Sequence, residues 1–104
     1  MITGIKDICL YTGLTPTGGN HSALAMEWLK QNNIEYNHLW YGDPAQHASV
    51  FDALNTWGIG TFSDFPFVIY DELNDDNTSV RRALIGLDAI TESNLAELAE
   101  LSKV

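Results

Sequence analysis

The chain has 104 residues, which favours one domain over residues 1–104 with an ordinary hydrophobic core. Apolar residues make up 45% and aromatic residues 11% of the chain, and both values argue against disorder. The formal net charge of −9 argues against nucleic acid as a partner, because affinity for a phosphate backbone comes from basic side chains.

The start of the chain and its cysteine content indicate a cellular compartment. Residues 1–7 lack the charged and then apolar run of a secretory signal, and no segment has the roughly 18–20 apolar residues of a membrane helix. Cys9 has no second cysteine with which to form a disulfide bond. We therefore expect a cytoplasmic protein with no membrane partner.

The first predicted element is a strand over residues 5–11. Its continuous apolar run is typical of a central strand, and Cys9 is expected to be a small buried hydrophobe within it. The glycine-rich residues 12–20 form a loop. A helix is predicted over residues 22–31, with Asn20 or Ser22 as its cap and a wide apolar arc facing a sheet.

A second strand is predicted over residues 34–41. The period of two places His38 on its apolar face, where we interpret it as a structural histidine. Asp43 then fits the cap of a second helix and Pro44 its first position, and this helix should end near residues 57–58.

The third strand begins at Pro66. Proline is tolerated at the first position of a strand, and a bulky residue before it makes a cis Phe65–Pro66 bond the expectation. Residues 72–79 form an acidic hairpin connection, followed by a fourth strand over residues 80–85. The pair Arg81-Arg82 indicates that one edge of this strand is exposed.

The end of the chain is predicted to form a turn over residues 86–90 and a last helix capped by Thr91. The complete order is β-α-β-α-β-β-α. Parallel strands with crossover helices are required in the first half, whereas the second half is a hairpin with a covering helix. The prediction is thus an α/β sandwich with a four-stranded mixed sheet and three helices.

This order, with proline opening the third strand, resembles the thioredoxin fold and in particular the glutaredoxin family. The resemblance covers nearly the whole chain, and its order and spacing carry more weight than any single piece. The matching pieces are residues 8–11, residues 25–36, residues 54–58 leading into 65–69, and residues 84–88.

The family's chemistry does not carry over. Counting back from Tyr36, the family's Cys-Pro-Tyr-Cys motif falls on Gly19-Asn20-His21-Ser22, so both motif cysteines are absent. Thiol–disulfide exchange requires a thiolate. Cys9 is a poor substitute, because a strand interior lacks the helix N-terminus that lowers a thiol pKa. No catalytic residue is therefore predicted.

The resemblance implies that a binding cradle is retained. The start of the first helix would receive a carboxylate, and the Phe65 backbone would pair with an extended peptide. Asp88 would receive an amino group, as the acidic turn residue of the family does for glutathione. The predicted ligand-binding residues are Gly19, Asn20, His21, Ser22, Phe65, Pro66, Gly86, Leu87 and Asp88.

Other polar groups are interpreted as solvated. His21 and Ser22 are adjacent in sequence, which rarely makes a nucleophile–base pair, and no orienting acid is evident. Asp43 and His47 have helical i, i+4 spacing, but two ligands do not make a metal site. The acidic residues 71–76 lack the spacing of a calcium loop. No metal site is predicted.

The resulting hypothesis is a glutaredoxin-like domain without a dithiol site, which binds a glutathione-like thiol peptide or a protein partner. No cofactor is predicted beyond glutathione itself as a candidate ligand. Two alternatives are a glutaredoxin-type oxidoreductase with displaced chemistry and a purely structural or protein-interaction module. The sequence does not predict the oligomeric state.

Overall fold

The computed structural model describes residues 2–12, 20–58 and 66–101, with Asn20 described by its backbone alone. Four strands and four helices lie within these residues. In chain order they are β1 (Ile2–Thr12), α1 (Asn20–Gln31), β2 (Asn37–Trp40), α2 (His47–Thr56), β3 (Phe67–Asn74), β4 (Ser79–Ile85), α3 (Leu87–Thr91) and α4 (Leu95–Leu101). None of these helices is long and apolar enough to cross a bilayer.

The strands form one mixed sheet in the order β2-β1-β3-β4. β1 and β2 are parallel and joined through α1, as a crossover connection requires. β3 is antiparallel to both β1 and β4. The predicted α/β sandwich with a four-stranded mixed sheet is therefore confirmed. β4 lies at one edge of the sheet, in agreement with the exposure predicted from Arg81 and Arg82.

Helices cover both faces of the sheet. α1, α3 and α4 share one apolar core with one face, and α2 forms a second core with the other face. The buried residues of the first core are Ile5, Leu10, Ala25, Leu29, Ile34, Val68, Tyr70, Ile90, Leu95, Leu98 and Ala99. Those of the second core are Val50, Ala53, Phe67 and Ile69.

A β-bulge divides β1, where a regular strand over residues 5–11 was predicted. Lys6 pairs with Asp71 and Cys9 with Ile69, so two residues of β1 oppose a single residue of β3. Asp7, one of those two, has φ 54°. A strand without the bulge would place residues 5 and 8 on opposite faces, whereas both contact the first core here. The bulge thus reverses the side-chain alternation so that both isoleucines reach one core.

β2 begins at Asn37, three residues later than predicted. Helix α1 ends as predicted before Asn32, but its end is a Schellman motif that uses the residues assigned to the strand. The Asn33 N–H donates to the Lys30 carbonyl and the Ile34 N–H to the Leu29 carbonyl, with Asn33 at φ 56°. Ile34 is therefore buried by the helix end rather than by strand pairing.

Helix α2 begins at His47, so the predicted start at Asp43 and Pro44 is wrong. The Asp43 side chain accepts the Ala45 N–H at 3.0 Å, and its carbonyl accepts the N–H groups of Gln46 and His47. These bonds close a turn ahead of the helix. The Gln46 side chain instead accepts the Trp40 N–H at 2.8 Å and donates to the His38 carbonyl at 3.2 Å, tying the turn to β2.

The prediction of three helices is also wrong, because the predicted turn over residues 86–90 contains α3. Thr91 lies in this helix, and its hydroxyl donates to the Leu87 carbonyl rather than capping a later helix. The residue whose hydroxyl serves the start of α4 is instead Ser93, which accepts the Leu95 N–H at 3.2 Å. Ile90 is fully buried and anchors α3 to the first core, which explains why a five-residue helix is retained.

The hairpin connection is shorter than predicted, because β3 continues to Asn74 and β4 begins at Ser79. Asp76 organises the turn by accepting both the N–H and the hydroxyl of Thr78. These bonds lower the pKa of Asp76. The carboxylate therefore stabilises the turn.

Candidate functional site

The segments predicted to form the cradle meet at one end of the sheet. Tyr11, near the end of β1, pairs with Phe67 at the start of β3. The Gly86 N–H donates to the Pro66 carbonyl at 2.9 Å, which joins the start of β3 to the turn before α3. Helix α1 returns the chain from the end of β1 to the start of the parallel strand β2, so the N-terminus of α1 lies toward the same end of the sheet. Gly19 and Phe65 lie outside the described residues, as does the predicted cis bond.

Ser22 is the best-defined feature of this end. It is the third residue of α1 and is fully buried, and its Oγ has no hydrogen-bond partner in the described part of the chain. The helix already includes Asn20, so Ser22 is not the cap that the sequence suggested. His21, next to it, is exposed. A buried hydroxyl without a partner carries a desolvation cost that a ligand acceptor would relieve.

Pro66 and Gly86 form the rigid part of the site. Pro66 is fully buried beneath the start of β3. Gly86 has φ 93°, and a Cβ atom built there would meet no atom within 4 Å. Glycine is therefore required for its backbone conformation rather than for lack of space. That conformation directs the Gly86 N–H to the Pro66 carbonyl.

The other two predicted residues of this turn occupy different environments. Leu87 is half-buried and packs against the first core, so its side chain anchors α3. Asp88 is exposed in the first turn of α3, which leaves its carboxylate accessible to an amino group. Of the described members of the predicted set, Asp88 is therefore the accessible anionic group.

Cys9 lies in the middle of β1, between Asn37 of β2 and Ile69 of β3. It is only partly buried, whereas a small buried hydrophobe was predicted. Burial raises the pKa of the Cys9 thiol, and a hydrogen bond from the Asn37 side chain lowers it in part. The net effect keeps the thiol protonated near neutral pH, the unreactive form.

The pair Asp43 and His47 does not form the helical arrangement considered from the sequence. His47 Nδ1 lies 3.2 Å from the Tyr41 carbonyl oxygen, and its ring is tilted against Tyr41 with centroids 4.2 Å apart. Asp43 is engaged with the turn that precedes α2. No group of three potential metal-binding side chains occurs among the described residues.

A polar pair near the same end of the sheet was not predicted. Thr12 Oγ1 and His38 Nε2 are 2.8 Å apart, and burial lowers the pKa of His38. Thr12 pairs with Trp40, whose Nε1 is buried and has no partner among the described residues. The period of two placed His38 and Trp40 on one face. Thr12, however, was assigned to the loop after the first strand, so its pairing with His38 could not be predicted.

Comparisons with known proteins give one informative match. No family model matches the chain, and no curated protein matches it. The chain is similar to the crystal structure of glutaredoxin 1 from Francisella tularensis complexed with cacodylate, with a TM-score of 0.54 and 20% sequence identity. The match covers 93% of this chain and 99% of that chain. Together with the observed element order and sheet, this likeness shows that the chain has a glutaredoxin-like thioredoxin fold.

Proposed function

We propose that this chain is a non-catalytic glutaredoxin-like domain that binds a thiol peptide of the glutathione type, or an extended segment of a partner, at the end of the sheet containing Ser22 and Pro66. The observation that carries the proposal is the Ser22 hydroxyl, which is buried without a hydrogen-bond partner in the described part of the chain. It lies in the first turn of a twelve-residue helix.

The helix start supports binding of a carboxylate. The first N–H groups of an α-helix have no partner within the helix, and the helix dipole places partial positive charge there. A carboxylate at this position would accept those N–H groups and the Ser22 hydroxyl together. A ligand amino group would then contact Asp88, which is exposed at the start of α3.

The chemistry of sulfur argues for binding without catalysis. Gly19 and Ser22 occupy the positions that match the two motif cysteines of the glutaredoxin family, and neither contains sulfur. Cys9 is displaced along β1 into the middle of the sheet, and burial raises its pKa. These observations weigh against the alternative of an oxidoreductase with displaced chemistry. The other alternative, a structural or protein-interaction module, predicts that no small ligand binds. A titration with glutathione distinguishes it from the proposed function.

Affinity for glutathione is expected to be weak. The chain has a net charge of −9, and five Lys and Arg residues oppose fourteen acids. Like-charge repulsion therefore opposes an anionic tripeptide. We expect a dissociation constant in the high micromolar to millimolar range, which corresponds to roughly −4 to −5 kcal/mol. A cytoplasmic location, where glutathione-type peptides are reduced, belongs to the same proposal.

The test is a titration of the ¹⁵N-labelled chain with reduced glutathione, followed by amide chemical shifts. We expect saturable shifts at His21, Ser22 and the turn over residues 86–88. Ser22→Ala should weaken binding about tenfold, as expected for the loss of one hydrogen bond to a charged group. Ser49→Ala, an exposed serine at the same third position of α2, should leave binding unchanged.

Two outcomes would contradict this proposal. An absence of shifts at about 10 mM glutathione, well above the expected dissociation constant, would favour the interaction-module alternative. Disulfide reduction at the rate of a dithiol glutaredoxin, abolished by Cys9→Ser, would instead establish the displaced redox chemistry.

A further inference from the structure

The β4 strand forms one edge of the sheet, and its outer side is open. It pairs with β3, and no other strand within the described ranges 2–12, 20–58 and 66–101 pairs with it. The strand is seven residues long, and its register with β3 is continuous from Ser79 to Ile85. It contains neither a proline nor a bulge, two features that commonly block an edge. The geometry of β4 therefore allows a further strand to pair with it.

The hydrogen bonds at both ends of the hairpin show which backbone groups of β4 face outward. The Gly86 N–H donates to the Pro66 carbonyl at 2.9 Å, and the Asn74 N–H donates to the Thr78 carbonyl at 3.0 Å. Hydrogen-bonded pairs recur at every second residue of an antiparallel ladder, so the even-numbered residues of β4 bond to β3. The residues whose N–H and C=O groups point away from β3 are therefore Ser79, Arg81, Ala83 and Ile85.

These outward-facing groups offer hydrogen bonds that the chain itself does not use. Within the described part of the chain, no group outside β3 hydrogen-bonds to the backbone of β4. Val80 and Ile85, near the two ends of the strand, also expose apolar surface. A strand added at this edge would form ladder hydrogen bonds and would cover part of these two side chains.

The charge of β4 restricts which strand can pair with it. Residues 77–87 contain Arg81 and Arg82 and no acidic residue, although fourteen acids oppose five Lys and Arg residues in the whole chain. On the inner side, Arg81 Nε donates to Asp71 Oδ1 at 3.0 Å. Arg82 Nη2 lies 3.6 Å from Glu72 Oε1, which is beyond hydrogen-bond distance. Both arginine side chains are exposed, so most of their N–H donors remain accessible to further carboxylates.

We propose that β4 binds an extended segment of a partner protein that has two adjacent acidic residues among β-forming residues. β3 already shows this pattern, because Asp71 and Glu72 follow an apolar run and lie beside the two arginines. An antiparallel segment with the same pattern would exchange backbone hydrogen bonds with the outward-facing residues of β4. Its two carboxylates would lie on opposite faces of the sheet, one near each arginine.

A second copy of the chain fits this edge less well. Two β4 strands related by a two-fold axis would run antiparallel. Centring the pair on residue 81, 82 or 83 would place Arg82 of one copy opposite or diagonal to Arg82 of the other, where like charges are destabilising. The net charge of −9 opposes an acidic segment as well, but exposed charges beyond about 8 Å are largely screened at physiological ionic strength. The charges closest to an added strand are then those of β4 itself.

The experiment is a titration of the full ¹⁵N-labelled chain with the peptide acetyl-Thr-Val-Thr-Glu-Glu-Val-Thr-Val-amide. We expect a dissociation constant of about 0.1–1 mM. The amides of Arg81, Ala83 and Ile85 should shift downfield because they gain hydrogen bonds, whereas those of Arg82 and Leu84 already donate to β3 and should shift less. The same peptide with glutamine in place of both glutamates should bind about three- to tenfold more weakly, because two exposed ion pairs are lost.

The substitution Ala83→Pro tests the backbone contacts. It removes an N–H that points away from β3, so the ladder with β3 remains, and binding should weaken by about tenfold or more. Arg82→Gln should weaken binding about threefold, and it keeps the test decisive if Ala83→Pro does not fold. Lys30→Gln, at an exposed basic residue of α1, is the matched control and should leave binding unchanged.

The proposal is overturned if the peptide at about 5 mM, several times the expected dissociation constant, causes no saturable shifts over residues 79–85. Shifts that fall instead at His21, Ser22 and residues 86–88 would also overturn it, because the segment would then bind where the glutathione-type site is proposed. Binding to Arg82→Gln as tight as to the unaltered chain has the same consequence. A dimer in sedimentation velocity that Ala83→Pro converts to a monomer would overturn the proposal too, since a second copy would then occupy the edge.

Discussion

Replacing Ser22 by alanine should stabilise the folded protein. In most helices the loss of a buried hydroxyl is unfavourable, because the hydroxyl has a partner that is then left unsatisfied. Ser22 Oγ is buried and has no such partner in the described part of the chain, so the substitution removes a desolvated polar atom and leaves none behind. The expected sign is therefore the reverse of the usual one for a buried serine.

The magnitude is the sum of two favourable contributions. A buried hydroxyl without a hydrogen bond costs about 1–3 kcal/mol by mutational comparison. Alanine also has a higher helix propensity than serine, by about 0.5 kcal/mol. A small loss of packing around the missing oxygen offsets part of this gain. We expect the free energy of unfolding to rise by about 1–2 kcal/mol, which corresponds to an increase in Tm of roughly 5–15 °C for a domain of this size.

Urea unfolding followed by circular dichroism measures the change, with Ser49→Ala as control. Ser49 is the third residue of α2, as Ser22 is of α1, but it is exposed. It therefore isolates the propensity contribution of about 0.5 kcal/mol. A Ser22→Ala variant that is less stable than the unaltered chain would refute the reasoning, since it would show that the hydroxyl is satisfied. Such a result would also remove the main support for a ligand at the start of α1.

Three further predictions concern the sheet and its two faces. Phe67 is fully buried and stacks on Tyr11 with ring centroids 4.6 Å apart. The substitution Phe67→Leu should therefore lower the free energy of unfolding by about 1–3 kcal/mol. A double-mutant cycle with Tyr11→Leu should give a coupling energy of about 0.5–1.5 kcal/mol. An additive cycle would show that the stacking contributes nothing beyond burial. Burial lowers the pKa of His38 below its ordinary value of 6.5, so the unfolded chain takes up a proton at a higher pH than the folded chain does. The free energy of unfolding should therefore fall as the pH is lowered from about 7.5 to about 5.5. In the His38→Gln variant the free energy of unfolding should fall less over the same pH range. An equal fall in both proteins would show that groups other than His38 cause the effect. Burial raises the pKa of the Cys9 thiol, so at pH 8 iodoacetamide should alkylate it more slowly than it alkylates free cysteine. The reaction should become faster in urea, which unfolds the chain. A rapid reaction in the folded protein would contradict a protonated Cys9 thiol.

The sequence alone determined the order of the four strands and the first two helices, the mixed sheet and the absence of the two motif cysteines. Apolar runs and periodicities are local signals, and they were sufficient for α1, β4 and the strand that follows Pro66. The absence of cysteine from positions 19 and 22 also follows directly from the residues. The same patterns placed Ser22, Pro66 and Gly86 in a single predicted site, and the structure brings these three segments to one end of the sheet.

Only the tertiary structure decided the features that depend on contacts between distant segments. The bulge at Asp7 exists because Ile5 and Ile8 must reach the same core, a requirement invisible in β1 itself. The break between α3 and α4 follows from burial of Ile90, and the burial of Ser22 follows from packing around the start of α1. The bulge and the Schellman motif at Asn33, which are distant in sequence, line one cleft together with Ala99 of α4. Each of these features is fixed by the free energy of packing between elements, whereas sequence periodicity reports only the preference of a single element.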